Sequence, residues 1–291
     1  MTRSIVVGVD GSAGARAAAH YAAAIAVRRH ATLTLVHVFE TAFHGYGPVG
    51  LAGSYASADE YLRESAERLL EETVNDIESS HPGVKFDPHL QSGGVAAQLI
   101  DESEEAQLTV VGSRGMDGFA SLMLGSVSAQ VATYGHGPII VTRPAAAPDG
   151  PILVGYDGSE AANAALQFGV QEALSRKVPL VVANIYWEQP WGWHQQPATD
   201  PVITASHRAE QMIIDALELP IEEHPELQYS IRTIHSLNPA HSLVEESAHA
   251  GLTVVGSRGR GGFAGLLLGS VSRTLLHHAA GPVAVIHPTE H

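Results

Sequence analysis

Two short constellations in this chain carry residue types suited to gripping an anion. Gly112-Ser113-Arg114-Gly115 is followed after nine residues by Gly125-Ser126, and Gly256-Ser257-Arg258-Gly259 after nine residues by Gly269-Ser270. Glycines after a strand allow a turn with φ > 0 and let a ligand approach bare amides. Ser126 and Ser270, opening a helix, offer a hydroxyl and first-turn N–H groups, and the helix dipole favours negative charge there. Together these parts make a phosphate cradle. The same residues also suit a plain βα turn with a helix cap. Repetition at matched spacing favours a shared function, although duplicating a structural turn would leave the same trace.

Asp10 and Asp157 each follow a strand-like run directly. A carboxylate there can accept from ribose hydroxyls or adenine, or approach a bound cation. It can also accept amides of its own turn.

Other chemistries lack their residues. Lysine occurs only at Lys85 and Lys177, and neither fits the Gly-x4-Gly-Lys-(Ser/Thr) P-loop. The chain has no cysteine, which excludes thiol nucleophiles, Cys-based zinc sites, Fe–S clusters and disulfides. It contains neither a Gly-x-Ser-x-Gly elbow nor a His-Glu-x-x-His helix. Gly259-Arg-Gly-Gly-Phe-Ala264 is a lone dinucleotide-type match that the first copy lacks, and is set aside. His277-His278 is read as cations suiting the end of a helix rather than as metal ligands. No metal site and no catalytic residue is assigned.

These residues must be held by elements, and the chain is written twice. Ile5-Val-Val-Gly-Val-Asp-Gly-Ser12 recurs as Ile152-Leu-Val-Gly-Tyr-Asp-Gly-Ser159, 147 residues on. Leu108-Thr-Val-Val-Gly112 recurs as Leu252-Thr-Val-Val-Gly256, and Leu124-Gly-Ser-Val-Ser128 as Leu268-Gly-Ser-Val-Ser272, 144 residues on. Two domains follow, 1–144 and 151–291, joined by the Pro- and Gly-containing stretch 144–150. In the first copy, continuous apolar runs at Ser4–Val9 and Leu108–Val111 read as parallel strands buried on both faces. Thr32–Phe39, Val84–Gln91 and Ile139–Thr142 complete five strands. Helices alternate with them: an Ala-rich one capped by Ser12 and running to about Arg29, then Asp59–Ser79, Val95–Ala106 and Ser126–Tyr134. Thr41–Ser57 and Trp187–Pro201 read as loops. The latter holds Trp187, Trp191 and Trp193, either a cover or partner surface or a loop folded on its own domain. Right-handed crossovers imply α/β domains, each with a parallel sheet covered on both faces. With strand order 3-2-1-4-5, Asp10 and Gly112–Gly115 meet where the winding reverses, the crevice where open sheets bind ligands.

The motif Gly-x2-Gly-x9-Gly-(Ser/Thr), with an Asp after strand one in both copies, resembles tandem universal stress protein domains of the ATP-binding kind. The resemblance covers essentially the whole chain. It implies two doubly wound five-stranded parallel sheets of order 3-2-1-4-5, similar to adenine nucleotide alpha hydrolases and paired through strand five. It also implies ATP, with Mg2+, in each crevice. By position, Gly8 and Asp10 would contact the nucleoside, the main chain of Val38 would face adenine, and Gly112, Ser113, Arg114, Gly115, Gly125, Ser126 and Val127 would line ribose and phosphates. The second copy supplies Gly155, Asp157, Ile185, Gly256, Ser257, Arg258, Gly259, Gly269, Ser270 and Val271. The spacers differ, Met116-Asp117 against Arg260-Gly261, so unequal affinities are in view.

Three readings follow. The first is a nucleotide-dependent regulator of stress response or growth, with two ATP sites and little or no turnover. The second is a slow ATPase or nucleotidyl-transfer enzyme using Asp10 and Asp157 with Mg2+. The third is a nucleotide-free interaction module, for which Gly112→Ala with Gly256→Ala would be silent. The formal charge of −15 disfavours nucleic acid partners. The 17 histidines would roughly cancel it if protonated, but read as scattered surface groups. No apolar run is long enough for a membrane span and the N-terminus has no signal-like segment, so a cytoplasmic protein is expected. The resemblance, with its pairing through strand five, implies a homodimer beyond the paired domains.

Overall fold

The computed structural model describes residues 4–39, 52–115, 124–187, 201–260 and 267–288. The chain divides into two compact units, Met1–Arg143 and Pro144–His291. Unit 1 runs β1 (Ser4–Gly8), α1 (Ala13–Arg29), β2 (Thr32–Phe39), α2 (Ala52–Ser80), β3 (Lys85–Ser92), α3 (Val95–Ser103), β4 (Leu108–Gly112), α4 (Ser126–Tyr134) and β5 (Pro138–Thr142). Its sheet order is β3-β2-β1-β4-β5, with every pair parallel. Unit 2 repeats the plan: β6 (Ile152–Gly155), α5 (Glu160–Arg176), β7 (Leu180–Tyr186), α6 (Pro201–Glu223), β8 (Tyr229–His235), α7 (Pro239–Ser247), β9 (Leu252–Gly256), α8 (Ser270–His278) and β10 (Val283–Ile286). Its order is β8-β7-β6-β9-β10, again parallel.

Burial explains the composition of these strands. Ile5, Leu33, Leu35, Leu108, Ile139 and Ile140 are completely buried in unit 1, as Ile152, Leu180 and Leu252 are in unit 2. A sheet covered by helices on both faces has no wet side, so its central strands read as unbroken apolar runs. Pro88 falls inside β3, which among the described residues of its unit pairs with β2 alone, and a strand that must lose one ladder donor is tolerated at such an edge.

The first helix of each unit lies close to the sheet because it is built of small residues. Ala15, Ala18, Ala19, Ala22, Ala23 and Ala26 of α1 are all buried. Both helices are capped alike: Ser12 Oγ accepts from Ala15 N–H at 3.1 Å, and Ser159 Oγ from Ala162 N–H at 3.2 Å. Each ends on a left-handed residue that is not glycine, His30 with φ 50° and Lys177 with φ 57°.

One expectation shifts. The second helix of unit 1 starts at Ala52, so 52–57 is helical rather than loop. Extending an existing helix adds one hydrogen bond per residue fixed, which outweighs the weak local propensity of Gly53 and Ser54. Residues 40–51, Trp191 and Trp193 lie outside the described residues, while Trp187 is half exposed. No described helix is long and apolar enough to cross a membrane.

Candidate nucleotide site at the sheet switch point

In each unit the chain leaves β1 (or β6) toward one edge and β4 (or β9) toward the other, and these strands are direct neighbours. Their C-terminal ends therefore bracket the switch point.

The loop after the first strand is built around its aspartate. Asp10 Oδ1 accepts from Ser12 N–H at 2.9 Å, and Asp157 Oδ1 from Ser159 N–H at 3.0 Å. Asp157 Oδ2 accepts from Arg260 N–H at 2.9 Å, which ties the β9 loop to the β6 loop. The carboxylates also account for the second glycine of each motif. A Cβ on Gly115 would stand 2.5 Å from Asp10 Oδ2, and one on Gly259 2.5 Å from Asp157 Oδ2. Asp and Gly, far apart in sequence, are a contact pair.

The three motif glycines do different jobs. None of them has positive φ, contrary to the expected turn conformation; the left-handed glycines here are Gly11 (φ 82°) and Gly158 (φ 75°). Gly112 is required because a Cβ would lie 2.8 Å from the Gly14 carbonyl, and Gly256 because one would lie 2.7 Å from Ala161. They let the first helix pack against the strand end. The third glycine differs. A Cβ on Gly125 or Gly269 meets nothing nearer than 3.4 Å.

Those third glycines are the N-caps of α4 and α8, and neither helix has a side-chain cap. The first-turn amides, which in α1 and α5 have a serine acceptor, are thereby left for something else to satisfy. The helix start is latched firmly to the strand end. Gly125 N–H donates to Ser113 O and Gly269 N–H to Ser257 O, each at 2.7 Å. Ser128 Oγ donates to Gly112 O at 2.6 Å, and Ser272 Oγ to Ser257 O at 3.0 Å.

In unit 2 these parts enclose a cleft of about 520 Å3. Nine of the ten residues singled out in the second copy line it: Gly155, Asp157, Ile185, Gly256, Arg258, Gly259, Gly269, Ser270 and Val271. Ser257 does not; it is 1% exposed and its backbone serves the latch, with its N–H donating to Ile286 O. Among the other lining residues, Tyr156, Pro239 and Leu243 form apolar walls, and Arg260 and Arg273 add two cations. Arg273 sits three residues after Ser270, one turn along α8 on the same side, a spacing that was legible but unread. The Tyr156 hydroxyl donates to Asn163 Oδ1 at 2.7 Å. Burial pushes its pKa up; Arg260 opposes this, and Asp157 and Asp215 add to it.

Unit 1 places its residues correspondingly. Gly8 ends β1, with Leu99 packed where a Cβ would go. Val38 is buried in β2, Ser113 is buried behind the latch, and Arg114 and Gly115 are exposed. Gly125, Ser126 and Val127 form the start of α4. The β2 end is fixed by His37, whose Nδ1–H donates to Val9 O at 2.7 Å; in unit 2 Asn184 Nδ2 donates to Tyr156 O at 2.7 Å. Arg143 follows β5, and burial and the neighbouring Arg114 push its pKa down.

The Universal stress protein family matches this chain twice, over residues 1–143 and 150–287. A universal stress protein of Mycolicibacterium smegmatis is 35% identical over 298 residues, covering 98% of this chain and 97% of that protein. One of Mycobacterium tuberculosis is 32% identical over 293 residues, covering 97% and 95%. The crystal structure of a universal stress protein from Archaeoglobus fulgidus covers 98% of both chains with a TM-score of 0.71 at 21% identity, a likeness of fold. Two family matches, relatives spanning nearly the full length and the paired motifs agree: the chain belongs to the universal stress protein family and carries its unit twice.

Proposed function

We propose that each unit binds an adenine nucleotide, ATP in the first place, and that occupancy rather than turnover is the output. The observation that carries this reading is the uncapped, glycine-started helix α8 opening into a cleft of nucleotide size between Asp157 and the apolar wall of α7. The donor set fits a triphosphate. First-turn amides, Ser270 and arginine side chains replace the lysine that a P-loop would use, and a Cβ at Gly269 would meet nothing nearer than 3.4 Å. Ile185 and Leu243 offer an apolar slot for the base. In unit 1 the matching parts are Asp10, Val38 and the Gly125–Val127 helix start.

Asp157 is the carboxylate among the described lining residues, so it is the group that would face a Mg2+ carried in with the nucleotide; the ion would neutralise part of the phosphate charge. Its oxygens already accept from Ser159 and Arg260 N–H groups, which suits it to holding the loops around a ligand. A regulator of stress response or growth in the cytoplasm, pairing as a homodimer, is the role this reading fits. Mass spectrometry of ligand released by denaturing freshly purified protein is expected to find adenine nucleotide. Sustained hydrolysis abolished by Asp10→Ala with Asp157→Ala would instead make the protein an ATPase.

A further inference from the structure

We infer that the unit 2 cleft is a polyphosphate-selective site, with Arg260 and Arg273 as its specificity-determining cations, and that unit 1 lacks this selectivity. The inference rests on the nucleotide reading and adds the ligand class and the residues that set it. Arg258, Arg260 and Arg273 all line the one cleft, and Asp157 is the acid among its described lining residues. Among the described residues none of the three arginines joins an ion pair. Three uncommitted guanidiniums around a concave site repel one another and concentrate a positive potential that an anion relieves. One phosphate needs the helix start alone; three cations call for more negative charge than one phosphate carries.

Arg260 is held ready rather than spent. Its Nη2 rests 3.3 Å from Met212 Sδ, a weak acceptor, over left-handed Gly158. A charge-assisted bond to phosphate is far stronger than that contact, while the Arg260 backbone stays pinned by Asp157. In unit 1 Leu69 covers the corresponding Gly11. There the repeat register puts Met116 at the Arg260 position and Ala129 at the Arg273 position. Unit 1 keeps Arg114 and adds Arg143, but Arg143 is half-buried and has partners of its own.

Calorimetric titration of the full chain with ATP and with AMP tests this, comparing wild type with Arg260→Met, Arg273→Ala and the double variant. Both side chains are exposed, so the variants should melt with wild type. Wild type should show two classes of ATP site. The double variant should weaken the tighter class by roughly 100-fold, each charge-assisted bond being worth about tenfold, and leave AMP affinity unchanged. Equal losses for ATP and AMP, or no loss for either, would overturn the inference while leaving the nucleotide reading intact. If wild type binds neither ATP nor AMP, the nucleotide reading itself falls and the inference with it.

Discussion

In each unit the outer strand and the helix after it are pinned by the same carboxylate position but by different cations. In unit 1, Glu102 on α3 meets His89 on β3, Nδ1 to Oε1 at 2.9 Å, and also accepts from Gln91. In unit 2, Glu246 on α7 meets Arg232 on β8 at 2.6 Å. The register confirms the equivalence, since His89 pairs with Val36 and Arg232 with Ala183. A titratable ring in one copy thus stands where the other has a permanent charge. The cradle follows the same rule. Backbone latches at Ser113 and Ser257 match, whereas the repeat-equivalent residues Met116 and Arg260, and Ala129 and Arg273, diverge. Duplication preserved what positions the site and varied what tunes it.

The largest effect should come from treating the motif glycines as equivalent when they are not. Gly112→Ala or Gly256→Ala should cost about 2–3 kcal/mol in denaturant unfolding, since a Cβ is driven into the first helix. That pair of substitutions is consequently no clean test of a nucleotide-free role, contrary to the sequence expectation. Gly125→Ala and Gly269→Ala should cost under about 1 kcal/mol, the difference between Gly and Ala at an N-cap, yet weaken nucleotide binding by crowding the helix start. Equal stability losses at both glycine classes would erase the distinction.

The two pins should separate next, by pH. Burial alone would lower the His89 pKa, but the hydrogen bond and charge of Glu102, followed by Asp87, outweigh it and leave the value raised. A raised folded-state pKa means the pin contributes fully below the unfolded value of about 6.5 and fades as pH climbs through the folded value. Carboxylates stay ionised throughout that window. Amide exchange of residues 95–103 should thus quicken between pH 6 and pH 8 by more than that of 239–247, beyond the intrinsic pH effect, and His89→Arg should remove the excess. Matching behaviour in wild-type α3 and α7 would show that the cation swap is silent.

The smallest effect concerns a feature both units share. Glycine at the left-handed caps, His30→Gly or Lys177→Gly, should raise stability by about 0.5–1 kcal/mol in thermal melts, because a left-handed side chain costs roughly that much. Stabilisation at one cap alone would show that the other side chain earns its place through contacts.

How much of this was readable beforehand follows from the range of each interaction. The repeat, the buried strands and the Ser12 cap are written in neighbouring residues, so pattern exposed them. The second-copy motif falls along the lining of the unit 2 cleft. It did not say why each residue is there. Gly115 is glycine because of Asp10, and Gly256 because of Ala161, partners about a hundred residues away. Leu243 and Pro239 enter the cleft from a helix whose relation to β6 only the sheet order sets. Arg273 was missed because a helix brings its side chain back by one turn, a step no loop motif records.

The account stands or falls on each unit taking an adenine nucleotide through peptide amides and a helix start. Equilibrium dialysis of the ligand-stripped full chain against labelled ATP decides it. Saturation at two nucleotides per chain, falling to one when Gly269 is replaced by a bulkier residue, is the result predicted. No bound ATP at millimolar concentration in a well-folded sample would contradict it.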